Sequence, residues 1–347
     1  KGCTVVGVCG KTPEVAALQD LLVFKLRRLS LYLDALLESG KVKPKDMLDY
    51  HSYCIAALYS TLTNVNFDAD RFTQEFLVEA DERIKSARQW YFDVLGTNAV
   101  NFDFIVKEPT VSNVGVKNGW HKDFLSEDNA YLHELIQYGL KGIAAYGKEG
   151  FNYGKWSDDV VIYFHKAQAF LSDATNSRFG KDNNMTDKIL ALALELGENN
   201  LSVMKNLNDG HKEKFGVPEP TPVASVPVPG KCIVVSGHDI GALQDLLKQT
   251  EGTGINVYTH GELLPAHAYP EVKKYKHLKG NYGTAWQVQK MEFSQWPGAI
   301  LMSTNCIIEP RPSYKDRIFT TGVVGFHGVK HIKDHDFSEV IKAAQAA

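Results

Sequence analysis

The sequence predicts an α + α/β protein: an N-terminal all-helical domain of two three-helix units, followed by a parallel α/β domain. Three observations carry this. Leucines recur at helical spacing through the first two hundred or so residues. Val217–Gly230 then holds five prolines, which neither a helix nor a central strand tolerates. Beyond it, short apolar runs at Cys232–His238, Ile255–Glu262 and Ala299–Cys306 alternate with helical patterns, the punctuation of βαβ units. The boundaries expected are 1–216 for the helical domain, 217–230 for the linker and 231–347 for the α/β domain.

The first helix starts at Thr12-Pro13-Glu14, a cap residue followed by proline in the first turn, and ends at Gly40. Leu18, Leu21, Leu22, Leu26, Leu29, Leu33 and Leu36 share one face. Further helices are expected at 45–62 and 69–95, while 96–128 shows no steady period. Leu132–Tyr146 matches Leu18–Tyr32 in residue type at nearly every core position, at a constant offset. Helical patterns at 157–175 and 186–207 then echo those after the first copy. Residues 12–95 and 129–210 therefore form two related units, too few for a solenoid and suited to a packed helical domain. In the last third, a helix at Asp239–Gln249 follows the first strand. A final strand-like run, Phe319–Gly325, leads to a helix at Ser338–Ala346. The pattern Ala-Leu-Gln-Asp-Leu-Leu occurs at both 17–22 and 242–247, in different flanks, and is treated as coincidence.

Composition narrows the function. The 347 residues are 44% hydrophobic and 23% charged, with a net charge of -3, which argues against a nucleic-acid footprint or a basic membrane face. No apolar run approaches a membrane span, and the start lacks a signal-peptide pattern, so a cytoplasmic protein is expected. Five cysteines suit reduced thiols or metal ligands better than a disulfide framework. The chain opens at Lys1 without methionine, which suggests residues upstream.

Each of the three strand-like runs closes on a potential ligand: His238, Glu262 and Cys306. In an open parallel sheet the crevice lies beyond the carboxyl ends of the strands, where these three would converge. A nitrogen, an oxygen and a sulfur donor at one sheet edge point to a metal site. Each has a duller explanation: His238 could cap the next helix, Glu262 could serve a helix dipole, and Cys306 could be a small buried hydrophobe. His260, His267 and His277 compete, and on an extended segment His260 and Glu262 would point to the same side, giving a second reading as a His/His/Glu zinc site. Cys3 and Cys9 lie in a glycine-bearing loop suited to a soft metal or an iron–sulfur cluster. No His-Glu-x-x-His helix, Gly-x-Ser-x-Gly elbow, phosphate loop or Gly-x-Gly-x-x-Gly fingerprint occurs.

Gly2–Lys11, Thr61–Asn66, Ser236–Asp239, Lys248–Gly254, Tyr258–Ala266, Gly280–Gly283 and Thr320–Gly325, in this order, closely resemble the hybrid-cluster (prismane) proteins, also called hydroxylamine reductases. The resemblance covers essentially the whole chain and is densest from 232 to 330. It implies a helical first domain and Rossmann-like domains enclosing a hybrid [4Fe-2O-2S] cluster. His238, Glu262 and Cys306 match three of that cluster's ligands, and Thr63, Trp286 and Asn305 fall where the family places groups near it. Cys3 and Cys9 match the last two cysteines of an N-terminal [4Fe-4S] cluster. Cys54 and Cys232 match no ligand and are expected to be packed thiols. The family also has a Cys-x-x-Cys pair before Cys3 and a third domain with further ligands, so the chain is expected to be the first two domains, truncated at both ends. The implied activity is reduction of hydroxylamine to ammonia and water by a monomer, fed by a redox donor, without nucleic acid or membrane. Nitric oxide reduction and a non-catalytic iron–sulfur fragment are the alternatives.

Overall fold

A computed structural model describes residues 6, 7, 9–102, 110, 111, 127–173 and 185–347. The chain forms two compact units. One comprises Thr12–Thr61 and Ala69–Gly210; the other contains residues 9–11, Leu62–Asp68 and His211–Ala347.

The helical unit opens with α1 (Pro13–Glu38), whose Thr12 side chain accepts a hydrogen bond from Val15 N–H at 3.2 Å. A short 3-10 turn leads into α2 (Leu48–Ser60). The third helix of the triplet starts as α3 (Ala69–Arg71), passes through a π turn at Phe72–Phe76 and continues as α4 (Leu77–Leu95). The second triplet is α5 (Glu127–Asn152), α6 (Asp158–Asp173) and α7 (Met185–Phe215). The triplets do not pack side by side. α1 lies against both α4 and α6, and α2 lies against α5, so the leucine face of α1 is enclosed. Cys54 is fully buried on α2, and burial pushes its thiol up to about 12.

Polar side chains cross this core. Arg27, buried on α1, donates to Gln137 of α5 from Nε at 2.9 Å, and burial lowers its guanidinium to about 10. His165 of α6 stands 3.0 Å from the Ser30 hydroxyl of α1 through Nδ1 and 3.3 Å from His51 Nδ1 of α2 through Nε2.

The second unit contains a six-stranded, wholly parallel sheet. Its strands are β2 (Cys232–Ser236), β3 (Asn256–His260), β4 (Leu278–Tyr282), β5 (Ala299–Met302), β6 (Ile318–Thr321) and β8 (Lys330–Ile332), in the order β4-β3-β2-β5-β6-β8. β2, β5 and β6 are buried along their whole length, as expected for near-continuous apolar strands covered on both faces. α8 (Ile240–Thr250), capped by the Asp239 side chain on Ala242 N–H at 2.9 Å, connects β2 to β3. α9 (Pro270–Lys273), α10 (Gln289–Gln295) and α11 (Ser338–Ala346) follow.

A separate ladder pairs β1 (Asn66–Phe67) in parallel with β7 (Gly325–Phe326). Gly325 N–H also donates to Val65 O at 3.1 Å, and Ile307 N–H to Asn64 O at 2.9 Å. The segment between α2 and α3 is thus sewn into the α/β unit.

Candidate metal centre

Strand order reverses between β2 and β5, since β3 and β4 lie on one side and β6 and β8 on the other. In such sheets the crevice opens at the carboxyl ends of the two strands flanking the reversal. β2 runs directly into Gly237-His238, β5 into Ser303–Cys306, and neighbouring β3 into Gly261-Glu262. Topology therefore delivers the three candidate ligands to one edge.

Side-chain geometry brings two of them together directly. His238 Nε2 lies 3.1 Å from Glu262 Oε2, with the imidazole 38% and the carboxylate 66% exposed. Cys306 is half-buried; burial pushes its thiol up and the Glu262 charge adds to this, while the Asn305 amide, 3.8 Å from Sγ, works the other way. Among the described residues, however, the three donor atoms do not all fall within 4.8 Å of one another. A donor set of imidazole, carboxylate and thiol at one crevice fits a larger, multinuclear group of mixed hard and soft character.

The zinc alternative through His260 is overturned. Gly261, at φ +58°, ends the extended segment and starts a 3-10 turn, so His260 and Glu262 part company. His260 is 1% exposed, with Nδ1 2.9 Å from the Ser236 hydroxyl and Nε2 2.9 Å from Glu292 Oε2. His267 Nε2 bonds with the Thr259 hydroxyl at 2.9 Å, and His277 Nε2 lies 3.0 Å from the Thr250 hydroxyl. These are satisfied structural histidines.

Three supporting residues escaped sequence reasoning. Thr304 places its hydroxyl 3.0 Å from His238 Nδ1. Gln289, 1% exposed on α10, donates to Cys306 O at 2.8 Å and accepts from Ile308 N–H at 3.4 Å. Glu292, one turn further on, accepts from Thr284 N–H and Oγ1, each at 2.9 Å, steadying the approach to Trp286. A Gln-x-x-Glu spacing on a helix was the available signal. Nothing in it says which loop it faces.

Asn305 adjoins Cys306, and Trp286, 36% exposed, opens a 3-10 turn four residues past β4. Thr63 is exposed in the turn whose next residue, Asn64, accepts from Ile307 N–H. Cys9 is a half-buried free thiol in the α/β unit, and Cys3 lies outside the described residues. Cys232 is buried on β2, and burial raises its thiol.

A parallel sheet with mixed-donor side chains at its switch point defines the class: an α/β unit joined to a helical domain. The chain belongs to the Prismane/CO dehydrogenase family, whose model matches residues 1–347. It is 45% identical over 348 residues to a hydroxylamine reductase of Thermodesulfovibrio yellowstonii, covering 99% of this chain and 62% of that protein. Hydroxylamine reductases of Geobacter metallireducens and Syntrophobacter fumaroxidans are 42% and 43% identical, covering 99% and 100% of this chain and 62% of each relative. The chain thus spans 62% of the length of these curated relatives.

Proposed function

We propose that this chain supplies His238, Glu262 and Cys306 as ligands to a hybrid iron–sulfur–oxygen cluster in a hydroxylamine reductase. The observation that supports this most is the convergence of imidazole, carboxylate and thiol at the switch point of the sheet. The relatives named hydroxylamine reductase supply the reaction.

When bound, the cluster supplies electrons and an exchangeable iron position for converting hydroxylamine, two electrons and two protons into ammonia and water. The protein groups around it have separable tasks. His238 and Glu262 offer nitrogen and oxygen donors, which leave iron less thiolate-rich and readier to exchange ligands. Cys306 offers the soft donor, and the Asn305 amide bonds to its sulfur. Thr63, Asn305 and Trp286 line the approach for a small nitrogen species. Cys3 and Cys9 hold part of a [4Fe-4S] cluster that relays electrons from a redox donor, in a cytoplasmic monomer. Support for this last part is the family resemblance, the free thiol of Cys9 and the lack, among the described residues, of any helix long and apolar enough to cross a membrane.

The test is a set of single variants in a protein of the relatives' full length: His238→Ala, Glu262→Gln and Cys306→Ala. Each is expected to abolish hydroxylamine turnover and the paramagnetic signal of the hybrid cluster while sparing the other cluster. Full activity with an intact signal in all three would sink the proposal.

A further inference from the structure

We infer that Thr304 is a positioning residue that fixes the ring of His238 so that Nε2, not Nδ1, faces the metal centre. The inference rests on the reading of His238 as a ligand and says how the chain prepares it.

Thr304 is 2% exposed, just beyond the carboxyl end of β5 and across the switch point from Gly237. Its hydroxyl oxygen accepts from the His238 backbone N–H at 2.8 Å and donates its own hydrogen to Asn305 O at 3.2 Å. The same oxygen lies 3.0 Å from His238 Nδ1, and Asn305 O lies 3.1 Å from that nitrogen. A carbonyl can only accept, and a hydroxyl whose hydrogen already points elsewhere can only accept as well. Nδ1 is therefore the nitrogen that carries a hydrogen. Nε2, 3.1 Å from Glu262 Oε2, is the nitrogen left facing the candidate ligands.

The backbone is shaped for this contact. Gly237 has φ +128°, and a Cβ there would stand 2.6 Å from Thr304 N and 2.9 Å from Thr304 Oγ1. Only glycine lets the two strand ends approach so closely. Ser303 N–H donates to Ser236 O at 2.8 Å, tying β5 to β2 immediately before the pair. Thr304 thus holds both the main chain and the ring of His238 from a strand that also leads to Cys306. Second-shell partners that orient a ligating histidine typically contribute about 10–100-fold in metal affinity.

The test compares Thr304→Val, which swaps the hydroxyl for a methyl of similar size, with Thr304→Ser, which keeps it. Spectra of the metal-free chain labelled with 15N-histidine, with His238 assigned by its loss in His238→Gln, report which ring nitrogen is protonated. The wild type is expected to show a protected Nδ1–H, retained in Thr304→Ser and lost or averaged in Thr304→Val. Anaerobic titration with Co2+, followed by thiolate-to-cobalt absorption, is expected to weaken about 10–100-fold in Thr304→Val and to recover in Thr304→Ser. Thr304→Ala carries the same expectation should the valine variant not fold. A bare Nδ1 in the wild type, or an unchanged Nδ1–H and Co2+ affinity in Thr304→Val, overturns the inference. Co2+ binding indifferent to His238→Ala overturns instead the ligand reading beneath it. The two failures are distinguishable because the ring signal is read without metal.

Discussion

Gln289 carries more of the candidate centre than its place in the sequence suggests. Its buried amide spans Cys306 O and Ile308 N–H, holding the chain on the far side of the cysteine. Replacing it with leucine keeps the bulk but leaves a carbonyl and an amide unpaired in a largely buried place. The expected cost is about 1–3 kcal/mol, seen as a lower urea midpoint. Cys306 should also react faster with a disulfide reagent, since its segment loses an anchor. An unchanged midpoint and thiol reactivity would show that the loop holds itself. The sequence offered Cys306 through its strand-end position, but not Gln289, because a polar residue on a seven-residue helix has no periodic signature that names its partner.

Among the elements, α1, α2 and α6 are joined by one buried polar thread, Ser30 to His165 to His51. Burial pushes His51 down to about 4; His165 lies well below its ordinary range through burial and then its neighbour's charge. Both imidazoles are thus neutral in the fold, whereas an unfolded chain protonates them below about pH 6.5. Their contribution to stability is fully present above that pH and is lost as pH falls toward the folded values. Each histidine adds a slope of up to about 1.4 kcal/mol per pH unit in that window. Denaturant unfolding at about pH 7 and about pH 5 should show a steep loss for the wild type and a shallower one for His51→Phe. Equal slopes would exclude His51 as a source. The leucine periodicity announced these helices and their order, as two related three-helix units, but not which helices face one another. The structure places α1 against both α4 and α6, because the wide apolar face of α1 is best buried by helices from both copies.

At the scale of the whole chain, the α/β unit is not built from one continuous stretch. Residues 62–68 pair with Gly325–Phe326 and accept from Ile307 N–H, and the Phe67 ring packs 5.5 Å from Phe326. A fragment of residues 211–347 leaves those amides and that ring without their partners. It is expected to unfold at lower urea than the same unit in the full chain and to expose Cys306 to faster modification. Identical midpoints would mean that the inserted segment contributes nothing to the sheet. The proline-rich stretch suggested a boundary at 217–230, whereas the second unit takes in His211–Ala347 together with Leu62–Asp68, a piece of the earlier sequence that a linear reading could not assign to it.

Periodicity, prolines and strand-end residues by themselves determined a helical part, a parallel α/β part and the candidate ligands His238, Glu262 and Cys306. Each of these follows from local pattern, because side-chain direction repeats with the element that carries it. Only the tertiary structure decided that the strand order reverses between β2 and β5, that His260 turns into the core toward Glu292, and that Thr304 and Gln289 steady the neighbours of the site. Those outcomes depend on contacts between residues far apart in the chain, whose partners are chosen by packing and by the need to satisfy buried polar groups.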